Sequence, residues 1–162
     1  MTLKIAVQNA TKDWRTLIPS VRALTGQAAR AAFVAGGGQG FAGDAQATVQ
    51  LATDAEIQAL NANFRSKDKP TNVLSFPSGE WPPAKGIPEL YLGDIIIARE
   101  TVEREALEQG KSFQAHFTHL IIHGVLHLLG HDHMEKDEEK AMEAIEISIL
   151  SSLGIANPYL LP

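Results

Sequence analysis

All six histidines of this 162-residue chain fall in one stretch, His116–His133, which reads HFTHLIIHGVLHLLGHDH. Three of them, His123, His127 and His133, are spaced H-x3-H-x5-H, and no other feature restricts the possible folds as much. On a helix, side chains four residues apart leave the same face offset by roughly 40°. The rings of His123 and His127 can therefore meet one metal ion from one side. A third ring must come from beyond the helix axis, and Gly130 supplies the break. Glycine tolerates the left-handed backbone that ends a helix, after which the chain can fold back and present His133. Three neutral imidazoles with a fourth position free is the catalytic form of a zinc site, whereas structural sites usually close with four protein ligands.

A single histidine on an apolar helix is more often a packed, hydrogen-bonded residue. Three at this spacing across a glycine point instead to metal. The pattern matches the long zincin signature H-E-x-x-H-x-x-G-x-x-H, Gly130 included, except that Gly124 stands where those peptidases carry their glutamate base. Zinc is the expected ion, and imidazole ligands also suit nickel and copper. The chain has no cysteine, so the ligands must be nitrogen or oxygen and nothing depends on disulfides. Its net charge of −5 argues against an extended basic surface for polyanions, so contact with nucleic acid must use a local patch. No apolar run is long enough to cross a bilayer, and the N-terminal MTLKIAVQNA lacks the parts of a signal peptide.

Along the chain, Lys4–Ala10 alternates as a half-buried strand does. A helix is expected from about Trp14 to Val34, with Pro19 near its first turn. Gly38, Gly40 and Gly43 spell G-x-G-x-x-G, but after a helix and before the strand-like Ala47–Thr53, the wrong context for a dinucleotide site. Thr53-Asp54 caps a helix over Ala55–Asn63. A strand follows at Asn72–Phe76, after a loop carrying Arg65, Lys67 and Lys69. Ser78–Glu89 reads as an exposed excursion, and Leu90–Ala98 as a central strand ending in a continuous apolar run. Helices are expected over Arg99–Glu108, Ser112–Leu129 and Glu135–Leu153. The order predicts one α/β domain of the α+β type over residues 1–162. Its small mixed sheet has about four strands, covered by about five helices, with the metal site on a core helix and the turn after it.

The segment HGVLHLLGHDH, His123–His133, resembles the H-G-x-L-H-L-x-G-x-D-H signature of the YbeY family of bacterial metal-dependent endoribonucleases. NxxFRxxDKPTNVLSFP at Asn61–Pro77 and LGDIIIA at Leu92–Ala98 agree with it as well, while His131 occupies a position that is often Tyr in that family. The resemblance implies a zinc-dependent, single-strand-specific endoribonuclease in the cytoplasm. Its substrate would be ribosomal RNA, in 3′-end maturation of the small-subunit RNA and in ribosome quality control, with the ribosomal subunit and associated proteins as partners. It implies His123, His127 and His133 as metal ligands and Arg65 as the catalytic arginine. The guanidinium suits charge gathering on a phosphate, and the attacking group is left open between a water and a ribose 2′-OH. Lys67 and Lys69 are candidate RNA contacts. Asp132 is a candidate to orient a ligand ring or to cap the turn, and His119, one turn before His123, to reach substrate or simply to pack. Two other readings remain at this stage: a zincin-like metallopeptidase, which the missing glutamate disfavours, and a ribosome assembly factor with a structural metal.

Overall fold

The structure is a computed structural model that describes residues 2–160. Its strands are β1 (Thr2–Gln8), β2 (Asp44–Ala52), β3 (Val73–Pro77) and β4 (Glu89–Ala98). Among the described residues there are six α-helices: α1 (Lys12–Leu17), α2 (Val21–Ala35), α3 (Asp54–Arg65), α4 (Arg99–Glu108), α5 (Phe113–Leu128) and α6 (Lys136–Ser152). The sheet order is β1-β2-β4-β3. The first three strands in that order are parallel, and β3 lies antiparallel to β4 at the edge. The mixed four-stranded α/β architecture is the one expected from the sequence.

One expectation is corrected. The helix anticipated over Trp14–Val34 is two helices, α1 and α2, which brings the helices to six rather than about five. Proline lacks the backbone N–H a helix interior needs and drives the preceding residue to extended angles. Ile18, just before Pro19, accordingly sits at φ −135°, ψ 96°. The break costs no core, since Trp14, Ile18 and Val21 are all buried across it.

Helices cover both faces of the sheet, which explains the continuous apolar run in β4. Ile95 and Ile97 join the main core with Ala28, Phe33, Phe117, Ile121 and Val125. Ile96, pointing the other way as strand alternation requires, packs with Ile57 and Leu74 under α3. That helix opens with a capping box: the Thr53 side chain accepts from the Glu56 N–H, and the Glu56 carboxylate accepts from the Thr53 N–H, each at 3.2 Å. Thr53→Ala should therefore cost about 1 kcal/mol, read as a lower denaturant midpoint with unchanged slope.

α5 runs through the core, and Phe117, Ile121, Ile122 and Leu126 are wholly buried on it. At Gly124 it comes very close to the sheet. A Cβ there would lie 3.0 Å from Ile95 Cγ2 and 3.2 Å from Ser75 Oγ, and the Ser75 hydroxyl donates to the Gly124 carbonyl at 3.1 Å. A glutamate at this position would press on the Ile95 and Ser75 side chains, which would have to give by a few tenths of an ångström. The residue that departs from the peptidase pattern is thus the one that lets α5 seat its histidines against the edge strand.

Candidate metal centre

The end of α5 builds the site. Leu129 closes the helix and Gly130 follows at φ +83°. The Gly130 N–H donates to the His127 carbonyl and the His131 N–H to the Leu126 carbonyl, both at 3.0 Å, the paired bonds of a Schellman turn. The His131 ring donates from Nε2 to the Gly36 carbonyl at 2.8 Å, tying the turn to the end of α2. The reversed chain then carries His133 back to the helix. Ring centroids of His123 and His127 are 4.5 Å apart, those of His127 and His133 5.0 Å, and those of His123 and His133 5.8 Å.

One ligand atom from each of the three rings lies within 4.8 Å of the other two. His123 Nε2 and His127 Nε2 are 3.0 Å apart, near the roughly 3.3 Å spacing of two imidazoles on one tetrahedral ion with bonds of about 2.0–2.1 Å. Burial first, then the charges of His123 and His133, lowers His127 to about 4 against the opposing pull of Asp132 and the His131 backbone. The ring is thus neutral near physiological pH, with a lone pair to give. Among the described residues no fourth imidazole or carboxylate joins this group. The donor set fits one borderline-soft divalent ion with a coordination position left over.

Sequence spacing did not reveal the group behind the triad. Glu146 on α6 is fully buried. Its Oε2 accepts from His123 Nδ1 at 2.6 Å, and its Oε1 accepts from His119 Nε2 at 2.8 Å and from the Tyr159 hydroxyl. Burial works to raise the carboxyl, but the hydrogen bonds from His119, His123 and Tyr159 outweigh it and hold Glu146 at about 2. Tyr159 is pushed far up, by burial and then by the Glu146 carboxylate. His119 is therefore packed and hydrogen-bonded, with 12% of its side chain exposed. Asp132 accepts from the His133 backbone N–H at 2.7 Å.

Arg65, expected in a loop, is instead the last residue of α3, which runs two residues beyond Asn63 before Ser66 ends it. Its guanidinium donates from Nη2 to the Ser75 carbonyl at 3.2 Å and sits 5.8 Å over the Phe76 ring. It lines the same cleft as His123, His127, Asp132 and His133, a space of about 420 Å³ bounded by β3 on one side. The structure thus brings Arg65 to the triad from the other half of the chain. Lys67 and Lys69 are exposed in the turn that follows and do not line this cleft.

His116, buried on α5, makes a separate pair: Nε2 meets Glu105 Oε1 at 2.9 Å, and Asn72 Nδ2 donates to the same oxygen at 2.9 Å. The His116 hydrogen bond, opposed by burial and helped by Asn72 and by the charges of His116 and Arg104, lowers the Glu105 carboxyl. A carboxyl depressed in the folded state contributes stability above its unfolded pKa, and that contribution is lost as pH falls through the folded value. The thermal midpoint of Glu105→Gln should therefore lie below wild type near neutral pH, with the gap narrowing as pH drops below the ordinary carboxylate range. A gap that stayed constant down to about pH 3 would remove this linkage.

Fold and cluster together define an α/β protein with three histidines and an arginine facing one cleft. A profile of the family described as "Endoribonuclease YbeY" matches residues 8–154. The chain is 46% identical over 164 residues to an endoribonuclease YbeY of Rhodospirillum rubrum, covering 97% of this chain and 82% of that protein. It is 44% identical over 161 residues to that of Paramagnetospirillum magneticum, covering 98% and 97% respectively. The solution structure of TM1509 from Thermotoga maritima shares the fold, with a TM-score of 0.53 at 23% identity over 95% of this chain and 92% of that one. The chain belongs to the endoribonuclease YbeY family. That membership supports a nuclease of the hydrolase class with RNA as its substrate. Among the described residues no helix is long and apolar enough to cross a membrane.

Proposed function

We propose that this chain is a zinc-dependent endoribonuclease, specific for single strands, in which His123, His127 and His133 hold the ion and Arg65 is the catalytic arginine. The observation that carries the reading is that Arg65 and the three histidines line one cleft in a member of an endoribonuclease family. An ion held there supplies Lewis-acid polarisation of a phosphoryl oxygen. The rest falls to the protein. The three imidazoles arrive prearranged, with the His127 ring neutral. Arg65 offers its planar fork to the oxygens on which charge gathers during phosphodiester cleavage. Its hold on the Ser75 carbonyl and the Phe76 ring keeps the guanidinium at the cleft wall before substrate arrives. The ribosomal target follows from the family resemblance: 3′-end maturation of small-subunit RNA and quality control of ribosomes in the cytoplasm, with the subunit and its proteins as partners.

The test is metal content measured alongside cleavage of precursor ribosomal RNA by the purified protein. Zinc removal by a chelator should abolish cleavage while the far-UV spectrum persists, and adding zinc back should restore it. Single-stranded segments should be cut in preference to duplex. Loss of the fold on metal removal would favour a structural ion instead, and undiminished cleavage by the metal-free chain would end the metal-dependent reading.

A further inference from the structure

A carboxylate withdrawn from water is costly unless its oxygens are fully hydrogen-bonded, and Glu146, with no exposed surface, meets that condition in one particular way. It stands on the apolar stripe of α6 among Met142, Ile149 and Leu150, where a methionine or leucine would pack without penalty. Its Oε2 is spent on the ring of His123, on the nitrogen facing away from the triad. A carboxylate oxygen can only accept, so His123 must carry its proton on Nδ1. In the neutral ring that leaves Nε2 bare, and Nε2 is the atom lying 3.0 Å from His127 Nε2. The other oxygen, Oε1, is held by His119 and by the Tyr159 hydroxyl, so the carboxylate cannot swing off the ring without losing two further bonds.

We propose that Glu146 is the positioning residue of this centre, fixing the tautomer and orientation of His123 and setting a compensating negative charge one ring behind the ion. The inference rests on reading the three histidines as a metal site. Hydrogen bonds of this kind behind a ligand histidine typically contribute roughly 10–100-fold to metal affinity. A merely structural Glu146 would fasten α6 to α5 and leave both tautomer and affinity alone.

The experiment uses the full chain labelled with ¹⁵N in its histidines. In the metal-free parent, at a pH high enough that the His123 ring is neutral, the ring should show a protonated Nδ1 and an unprotonated Nε2. In Glu146→Gln, which keeps the size and loses the charge, zinc affinity measured by competition with a chromophoric chelator should fall roughly 10–100-fold. The metal-free variant should still unfold in one cooperative thermal transition, at a midpoint below the parent's because the hydrogen bonds to the carboxylate are weakened. Protonated Nε2 in the parent, or zinc affinity within about twofold of the parent in the variant, would overturn the inference. The tautomer measurement needs no variant, so the inference stays testable even if Glu146→Gln does not fold. A parent that binds no zinc would instead overturn the triad reading itself, an outcome separable from the failure of Glu146 alone.

Discussion

Replacing His127 with alanine should strip zinc from the chain and abolish RNA cleavage while the fold stands. The ring of His127 lies between the other two, with centroids 4.5 Å from His123 and 5.0 Å from His133. Its removal leaves the remaining pair with ring centroids 5.8 Å apart, two ligands where the group had three. The loss of affinity should exceed the roughly 10–100-fold typical of a lost supporting hydrogen bond. The helix does not depend on this side chain. Ile121, Ile122, Val125 and Leu126 anchor α5 in the core, and the Schellman turn uses the His127 backbone carbonyl, which alanine retains. Metal analysis, circular dichroism and single-turnover cleavage on the same preparation check all three expectations. Full zinc occupancy in His127→Ala would remove the residue from the site.

The second large effect is expected at Arg65, with the opposite pattern: metal retained and turnover lost. A donor that acts chiefly on charge developing in the transition state typically contributes on the order of 10²–10³ in rate, about 2.7–4 kcal/mol. Arg65 is exposed, with one hydrogen bond to the Ser75 carbonyl and a ring contact. Substitutions at such a position usually shift stability by no more than about 0.5 kcal/mol. Arg65→Ala should therefore keep its zinc and its thermal midpoint while single-turnover cleavage drops by that factor. Arg65→Lys keeps the charge without the planar fork and should recover only part of the rate. Near-normal cleavage by the alanine variant would take Arg65 out of the mechanism, and a joint loss of zinc and activity would make its role structural.

The triad was legible because its geometry is local. The spacing of His123 and His127, the break at Gly130 and the return to His133 all lie within residues 123–133, and helix pitch plus one left-handed residue decide them. The apolar run Ile95–Ile97 was equally readable, since only a strand covered on both faces hides three isoleucines in a row. What escaped depended on how elements lie against each other. Glu146 meets His123 only because α6 packs on α5, and the one trace in the sequence is an acid among Met142, Ile149 and Leu150 on a stripe that is otherwise apolar. Lys67 and Lys69 sit beside Arg65 in sequence but not at the cleft. The chain turns left-handed at Ser66, φ 57°, ψ 30°, immediately after Arg65, and carries the two lysines elsewhere. Pro19 reads in the sequence as a helix starter within one segment, whereas its missing N–H and its effect on Ile18 cut that segment in two.

The turn at Gly130 also sets the order in which this site can be assembled. Closing a short loop costs little chain entropy, and the cost grows with the logarithm of loop length. The three imidazoles need only the end of one helix and the few residues after it, so they can gather as soon as α5 has formed. Arg65 reaches the same cleft only once β3 has paired with β4 and α5 has docked on both, long-range contacts of the kind that slow folding. On the proposed reading, a nascent chain would hold an ion before it could cut RNA, with Arg65 arriving after the three histidines.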